Sequence, residues 1–148
     1  MMFTLTLADG AKRHFLAPVT VFEVAQQISL SLAKATLAAE VDGRLVDASY
    51  LLDRDSQLKI ITSKDPEALE VLRHSCAHLL AQAVKRLYSD TQVTIGPVIE
   101  NGFYYDFSRP IPFTPEDLAN IEQVMGQIVK EALPVTRKIL SRQEAILY

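Results

Sequence analysis

Two Asp-Gly dipeptides, Asp9-Gly10 and Asp42-Gly43, cut the first 62 residues into short apolar stretches. Asp-Gly favours the positive-φ backbone of a two-residue hairpin turn, so each marks a place where a strand reverses. Before the first, Phe3, Leu5 and Leu7 alternate with Met2, Thr4 and Thr6. That period of two is a strand with one buried face. The spacing predicts a hairpin whose second strand runs to about Leu16 and is ended by Pro18. Thr20 and Glu23 form a capping box, and the helix it opens carries Val21, Val24, Ala25 and Ile28 on one stripe. Residues 32–37 fit a short helical turn or a strand entry equally well. SQLKIITS, residues 56–63, reads as a strand through Leu58, Ile60 and Ile61. Two strands, a helix and three strands suit a small mixed sheet crossed by one helix, the β-grasp (ubiquitin-like) arrangement of the α+β class.

Lys64-Asp65-Pro66 breaks this pattern and places a boundary between a unit at residues 1–63 and a second at 64–148. Asp65 is a candidate N-cap with Pro66 at the first helical position, opening a long helix to about Tyr88. TQVTIGPVIENGFYYDF predicts two strands with Asn101-Gly102 as their turn. PEDLANIEQVMGQIVKEAL predicts a helix from about Pro115, capped by Thr114. PVTRKIL reads as a short strand, and SRQEAILY as a further helix with Ser141 as N-cap. Tyr148 is followed by no helix stop signal, so the chain is expected to be part of a longer protein.

Composition excludes several classes. Fifteen Lys+Arg against eighteen Asp+Glu give a net charge of −3, which predicts no broad attraction to phosphate backbones while leaving a local basic patch open. Cys76 is the single cysteine, so no internal disulfide forms and a reducing compartment is expected. No apolar run approaches the roughly 18 residues of a membrane span, and the N-terminus lacks the basic start and apolar stretch of a secretory signal. The expectation is a cytoplasmic protein with no membrane partner.

The residues most suggestive of chemistry are in RHSCAHLLAQAVKRL, residues 73–87. With about 100° per residue and His74 at zero, Leu69, Leu72, Cys76, Leu79, Leu80, Ala83 and Leu87 fall between about 140° and 240°. That stripe is the expected core face, and it turns Cys76 away from the histidines. His78 lies about 40° from His74 on the other side, with Glu67, Glu70, Ala81, Gln82 and Lys85. Imidazoles at i and i+4 project together, which is both the helical spacing of metal ligands and that of a general base with a positioning partner. Spacing leaves several readings open: core histidines, which the wheel disfavours, solvated histidines, a cleft, or half a metal site that needs a further His, Cys, Asp or Glu. Farther on, Phe103, Tyr105 and Phe107 share one strand face and Tyr104 and Asp106 the other. Gly96-Pro97 marks a bend where a backbone could approach a ligand.

RHSCAHLLAQAVKRLY followed by IGPVIENGFYYDF closely resembles the start of the editing domain of bacterial threonyl-tRNA synthetases. LADGAKRHF, LAKATLAAEVDGRLVDAS and QLKIITSKD resemble the TGS domain that opens those class II ligases. The resemblance implies an N-terminal segment: a TGS domain at 1–63 and the first part of the α/β editing domain (the second additional domain of threonyl/alanyl-tRNA synthetases) at 64–148. The parent enzyme would attach threonine to its tRNA with ATP and magnesium, with a zinc ion in a catalytic core beyond Tyr148, as a homodimer in the cytoplasm. Its editing domain would hydrolyse seryl-tRNA. The matched residues are His74 and His78 as the first half of the editing site, with Tyr105 bordering the pocket. The second half-site lies beyond this chain, and the family's hydrolysis implies no metal here. Serine lacks one methyl group of threonine, and a pocket discriminates such a group by only about 1–3 kcal/mol, so a second, hydrolytic sieve has a physical purpose. The competing readings are a metal-dependent hydrolase using the His pair and a non-catalytic TGS module that binds RNA or protein.

Overall fold

The computed structural model describes residues 2–148. Strands β1 (Phe3–Leu7) and β2 (Lys12–Phe15) form the expected hairpin, with Gly10 at φ 82° in its turn. A two-residue strand β3 (Val19–Thr20) leads into α1 (Val21–Ile28), whose N-terminus is closed by the Thr20–Glu23 capping box. Ser29 ends α1 and caps α2 (Leu30–Ala35), which passes directly into β4 (Thr36–Val41). Residues 32–37 therefore hold both of the alternatives their sequence allowed. β4 turns at Asp42-Gly43, with φ of 50° and 81°, into β5 (Arg44–Val46). β6 (Leu51–Leu52) pairs with β3, and β7 (Ser56–Thr62) completes the main sheet.

That sheet has the order β2-β1-β7-β4-β5. β1 and β7 run parallel at its centre and the other neighbours are antiparallel. A parallel pair requires a crossover, here supplied by α1 and α2. α1 lays Val21 and Val24 on Phe3, Leu5, Phe15, Val41 and Leu58 of the sheet, and its Ala25 is buried as well. This is the β-grasp of the α+β class, with β3, α2 and β6 added to the expected order. Ala38 and Ile61 form a second small core with Ala68.

A long helix, α3 (Ala68–Leu87), follows. It starts later than the sequence signals suggest. The Asp65 carboxylate accepts from the Thr62 amide (2.7 Å) and hydroxyl (2.9 Å), so it closes the preceding turn and does not cap the helix. No side chain caps α3; Lys59 Nζ instead pairs with Glu67 (2.6 Å) at its entry. No described helix is long and apolar enough to cross a membrane.

The buried face of α3 also differs from the expected one. Leu69 (53% exposed), Leu72 (45%), Cys76 and Leu87 face outward, while Ala77, Ala81, Ala83 and Val84 are buried. Ala81 therefore belongs to the packed side, and Cys76 is exposed. The helix turns this small-residue side to its neighbours, where the helix of residues 115–131 and a hairpin approach closely. Leu79 and Leu80 are half-buried at the border of the cluster that Ala83 and Val84 make with Ile121 and Ile128.

The hairpin is long and irregular. β8 (Gln92–Val93), β9 (Val98–Ile99), β10 (Gly102–Phe103) and β11 (Phe107–Ser108) pair as β8–β11 and β9–β10. Its tip residues are Glu100 and Asn101; Gly102, at φ 151°, already pairs with Ile99, one residue past the expected turn. α4 (Pro115–Glu131) begins at Thr114 as expected, with a capping box to Asp117, and α5 (Arg142–Leu147) begins at the Ser141–Glu144 box. PVTRKIL does not form a strand. Its alternating Val135 and Ile139 are exposed, and without a neighbouring strand its backbone has no ladder to join.

Tyr88 ties α3 to α4. Its hydroxyl donates to Asp117 Oδ1 (2.5 Å), and Arg109 lies over the rings of Tyr88 (4.2 Å) and Phe113 (4.4 Å). The Tyr88 hydroxyl and then the Thr114 amide hold the Asp117 carboxyl below the usual aspartate range. A carboxylate depressed on folding contributes stability above its unfolded value, about 3.9, that is lost as pH falls through the lowered folded value. Asp117→Asn is expected to reduce stability at neutral pH and to flatten the acid limb. Urea denaturation between about pH 7 and pH 2 measures this, and parallel pH curves for the two proteins would refute it.

Candidate functional site

α3 places His74 and His78 on successive turns, both exposed. Their Nε2 atoms are 3.1 Å apart and their rings meet edge to face at 81°, with centroids 4.7 Å apart. The spacing read from sequence has therefore produced a contacting pair. A hydrogen bond at that distance needs one Nε2 to carry the hydrogen and the other to accept it, so its direction depends on the tautomers of the two rings. A water molecule replacing the direct contact would meet one nitrogen that accepts its proton and one N–H that fixes its lone pair. That is the arrangement a hydrolytic site needs to aim a nucleophilic water.

Arg73 positions this surface. Its Nη1 donates to the carbonyl oxygen of Glu100 at 2.8 Å, so the tip of the hairpin is fastened to α3 beside His74. The sequence signal for Arg73 was only adjacency to the histidine, and nothing in its spacing pointed to a carbonyl 27 residues away.

The hairpin strand turns Phe103, Tyr105 and Phe107 to its half-buried side, with Tyr104 and Asp106 exposed, as alternation predicts. Tyr105 stacks on Phe107, with ring centroids 4.7 Å apart. Gly96 lies against the Tyr105 ring: a Cβ there would sit 2.2 Å from Cδ2. The Gly96-Pro97 bend thus receives a side chain of its own hairpin, where the sequence suggested a backbone that could approach a ligand.

A metal site would need more donors than these. Among the described residues no group of three or more His, Cys, Asp or Glu side chains gathers. Glu67, one of the two helix neighbours that might have served, is held by Lys59. His14 is an exposed residue of β2, with Nδ1 3.0 Å from the Thr4 hydroxyl.

Residues 3–62 match the TGS domain family. The whole chain is similar to threonine–tRNA ligases of bacteria. It is 60% identical over 145 residues to that of Thiobacillus denitrificans and 59% identical over 145 residues to that of Polynucleobacter necessarius, in each case covering 98% of this chain. It is 58% identical over 147 residues, 99% of this chain, to that of a Janthinobacterium species. The chain spans only 23% of the length of each of these relatives. A TGS domain in a chain with these relatives fits the ligase reading and neither the metal-dependent hydrolase nor the non-catalytic TGS module that binds RNA or protein. The chain is thus similar over nearly its whole length to bacterial threonine–tRNA ligases, and its residues 3–62, which match the TGS domain, have a β-grasp fold.

Proposed function

We propose that this chain serves as the N-terminal segment of a threonine–tRNA ligase, with a TGS domain at residues 1–63 and the opening of the tRNA-editing domain at 64–148. The observation that carries this reading is the identity of about 60% across both units to proteins of that name. In the complete enzyme, threonine is attached to its tRNA at the expense of ATP, and serine attached in error is removed by hydrolysis. His74 and His78 orient and deprotonate the attacking water, and Tyr105 borders the seryl-adenosine pocket. The hydrolytic site is completed by residues outside this chain. ATP, magnesium and zinc belong to a separate catalytic core; two imidazoles without a third donor do not make a zinc site here. The partner is the threonine-specific tRNA, the compartment is the cytoplasm, and the complete enzyme is a homodimer.

A chimera tests this. The chain replaces the matching region of the Thiobacillus denitrificans threonine–tRNA ligase, and the product is assayed for hydrolysis of preformed seryl-tRNA. The expected result is hydrolysis at the rate of the unmodified ligase, against little when residues 64–148 are deleted. Equal hydrolysis by the deletion protein would overturn the assignment.

A further inference from the structure

Two tyrosines of this unit are used in opposite ways. The Tyr88 hydroxyl is spent on Asp117, and its ring lies beside Arg109. Tyr105 is the reverse: its ring is held, and its hydroxyl has no hydrogen-bond partner among the described residues. The hold comes from two places. Phe107 stacks on the ring with an interplanar angle of 17°. Phe107 is in turn fixed edge-on by Phe113 (5.8 Å, 83°), which packs against Tyr88 in the α3–α4 core. Gly96 supplies the second contact. The strand segments around it stay paired, with the Thr94 amide donating to the Asp106 carbonyl (3.2 Å) and the Asp106 amide to the Ile95 carbonyl (2.9 Å). Gly96 is thus held opposite Tyr105, and its missing side chain leaves the space the ring occupies: a Cβ would stand 2.2 Å from Cδ2 and 2.4 Å from Cε2. No positive φ explains this glycine, because only Gly10, Gly43 and Gly102 have one. The need for glycine here is clearance for the ring.

We propose that Phe107 and Gly96 are positioning residues that clamp the Tyr105 ring and so aim its free hydroxyl at the substrate of the editing site. The inference rests on the editing reading above. It follows from a general property of hydrolytic sites: a polar group acts on a bound ester only when its own ring cannot wander, and misplacement by about 1 Å costs on the order of 10²-fold in rate. Phe107 links that requirement to the helical core, so packing between α3 and α4 reaches the pocket through two rings.

Two measurements separate the clamp from the reading it rests on. In the 148-residue chain, the NMR signal of the Gly96 α-protons is expected to be displaced by the ring current of Tyr105. The displacement should shrink in Phe107→Leu, which keeps an apolar side chain but removes the ring, and return in Phe107→Tyr, which restores it. No displacement, or one indifferent to Phe107→Leu, overturns the clamp whatever the enzyme does. In the chimera, Gly96→Ala and Phe107→Leu should each slow seryl-tRNA hydrolysis about 10²-fold in kcat with little change in KM, and Phe107→Tyr should restore the rate. Full hydrolysis by Phe107→Leu alongside the expected NMR change overturns the positioning role alone. If Tyr105→Phe and His74→Ala also hydrolyse at the unmodified rate, the editing reading itself has failed, and the aiming role fails with it.

Discussion

Replacing both His74 and His78 with alanine in the chimeric ligase is expected to slow hydrolysis of seryl-tRNA by about 10²–10⁴-fold, the usual worth of a positioned general base. The fold should hardly notice. Both side chains are exposed, neither belongs to a core cluster, and surface changes of this kind usually stay within about 0.5 kcal/mol. Threonine charging should persist, because the proposed reading assigns it to a catalytic core separate from residues 64–148. The contact between the two Nε2 atoms makes a sharper claim. Residues that act as one hydrogen-bonded unit are not additive, so either single substitution should cost nearly as much as the double. Single-turnover hydrolysis of preformed seryl-tRNA by the three variants decides this. Unchanged hydrolysis by the double variant would return the pair to ordinary surface residues, and multiplying single effects would show two independent histidines.

The second large effect lies in the β-grasp core. Leu5 is fully buried where β1 meets both β2 and the parallel strand β7, within the cluster that includes Phe3, Val24 and Leu58. Its neighbours belong to hydrogen-bonded strands and to α1 packed across them, so they cannot readily collapse into the space a smaller residue leaves. Leu5→Ala is therefore expected to cost about 2–5 kcal/mol, a large part of the 5–15 kcal/mol that keeps a typical domain folded. Leu69→Ala makes the informative comparison. Its place on the leucine stripe of α3 gives it a similar cost if sequence pattern alone decides burial, but it is half exposed, so a change within about 0.5 kcal/mol is expected. Urea denaturation of both variants in the 148-residue chain measures the difference. Equal losses at the two positions would contradict the burial described for α3.

The contrast between these two leucines marks how far local sequence reaches. Asp9-Gly10 and Asp42-Gly43 determined where the sheet turns, because Gly10, Asp42 and Gly43 take a positive φ that few residues accept. The boxes at Thr20, Thr114 and Ser141 determined three helix starts, because each closes its own amides within three residues. The i, i+4 spacing of His74 and His78 determined that their rings face the same way, and alternation determined that Tyr105 and Phe107 share a face. All of these are short-range. What the tertiary structure decided depends on partners distant in the chain. α3 buries its alanines and leaves Leu69, Leu72 and Cys76 outside, because burial is a property of what lies opposite and close-packing neighbours favour small side chains. Asp65 turns back to Thr62 because two donors there outbid the helix amides it was expected to cap. PVTRKIL has the pattern of a strand but no neighbour to share its hydrogen bonds, and a lone strand has none of its own. The hold of Arg73 on the Glu100 carbonyl, and the fit of the Tyr105 ring against Gly96, exist only once the hairpin has folded against the helix. No periodicity encodes either contact, because each joins residues whose separation in the chain is set by loops and not by the pitch of a helix or the pleat of a strand.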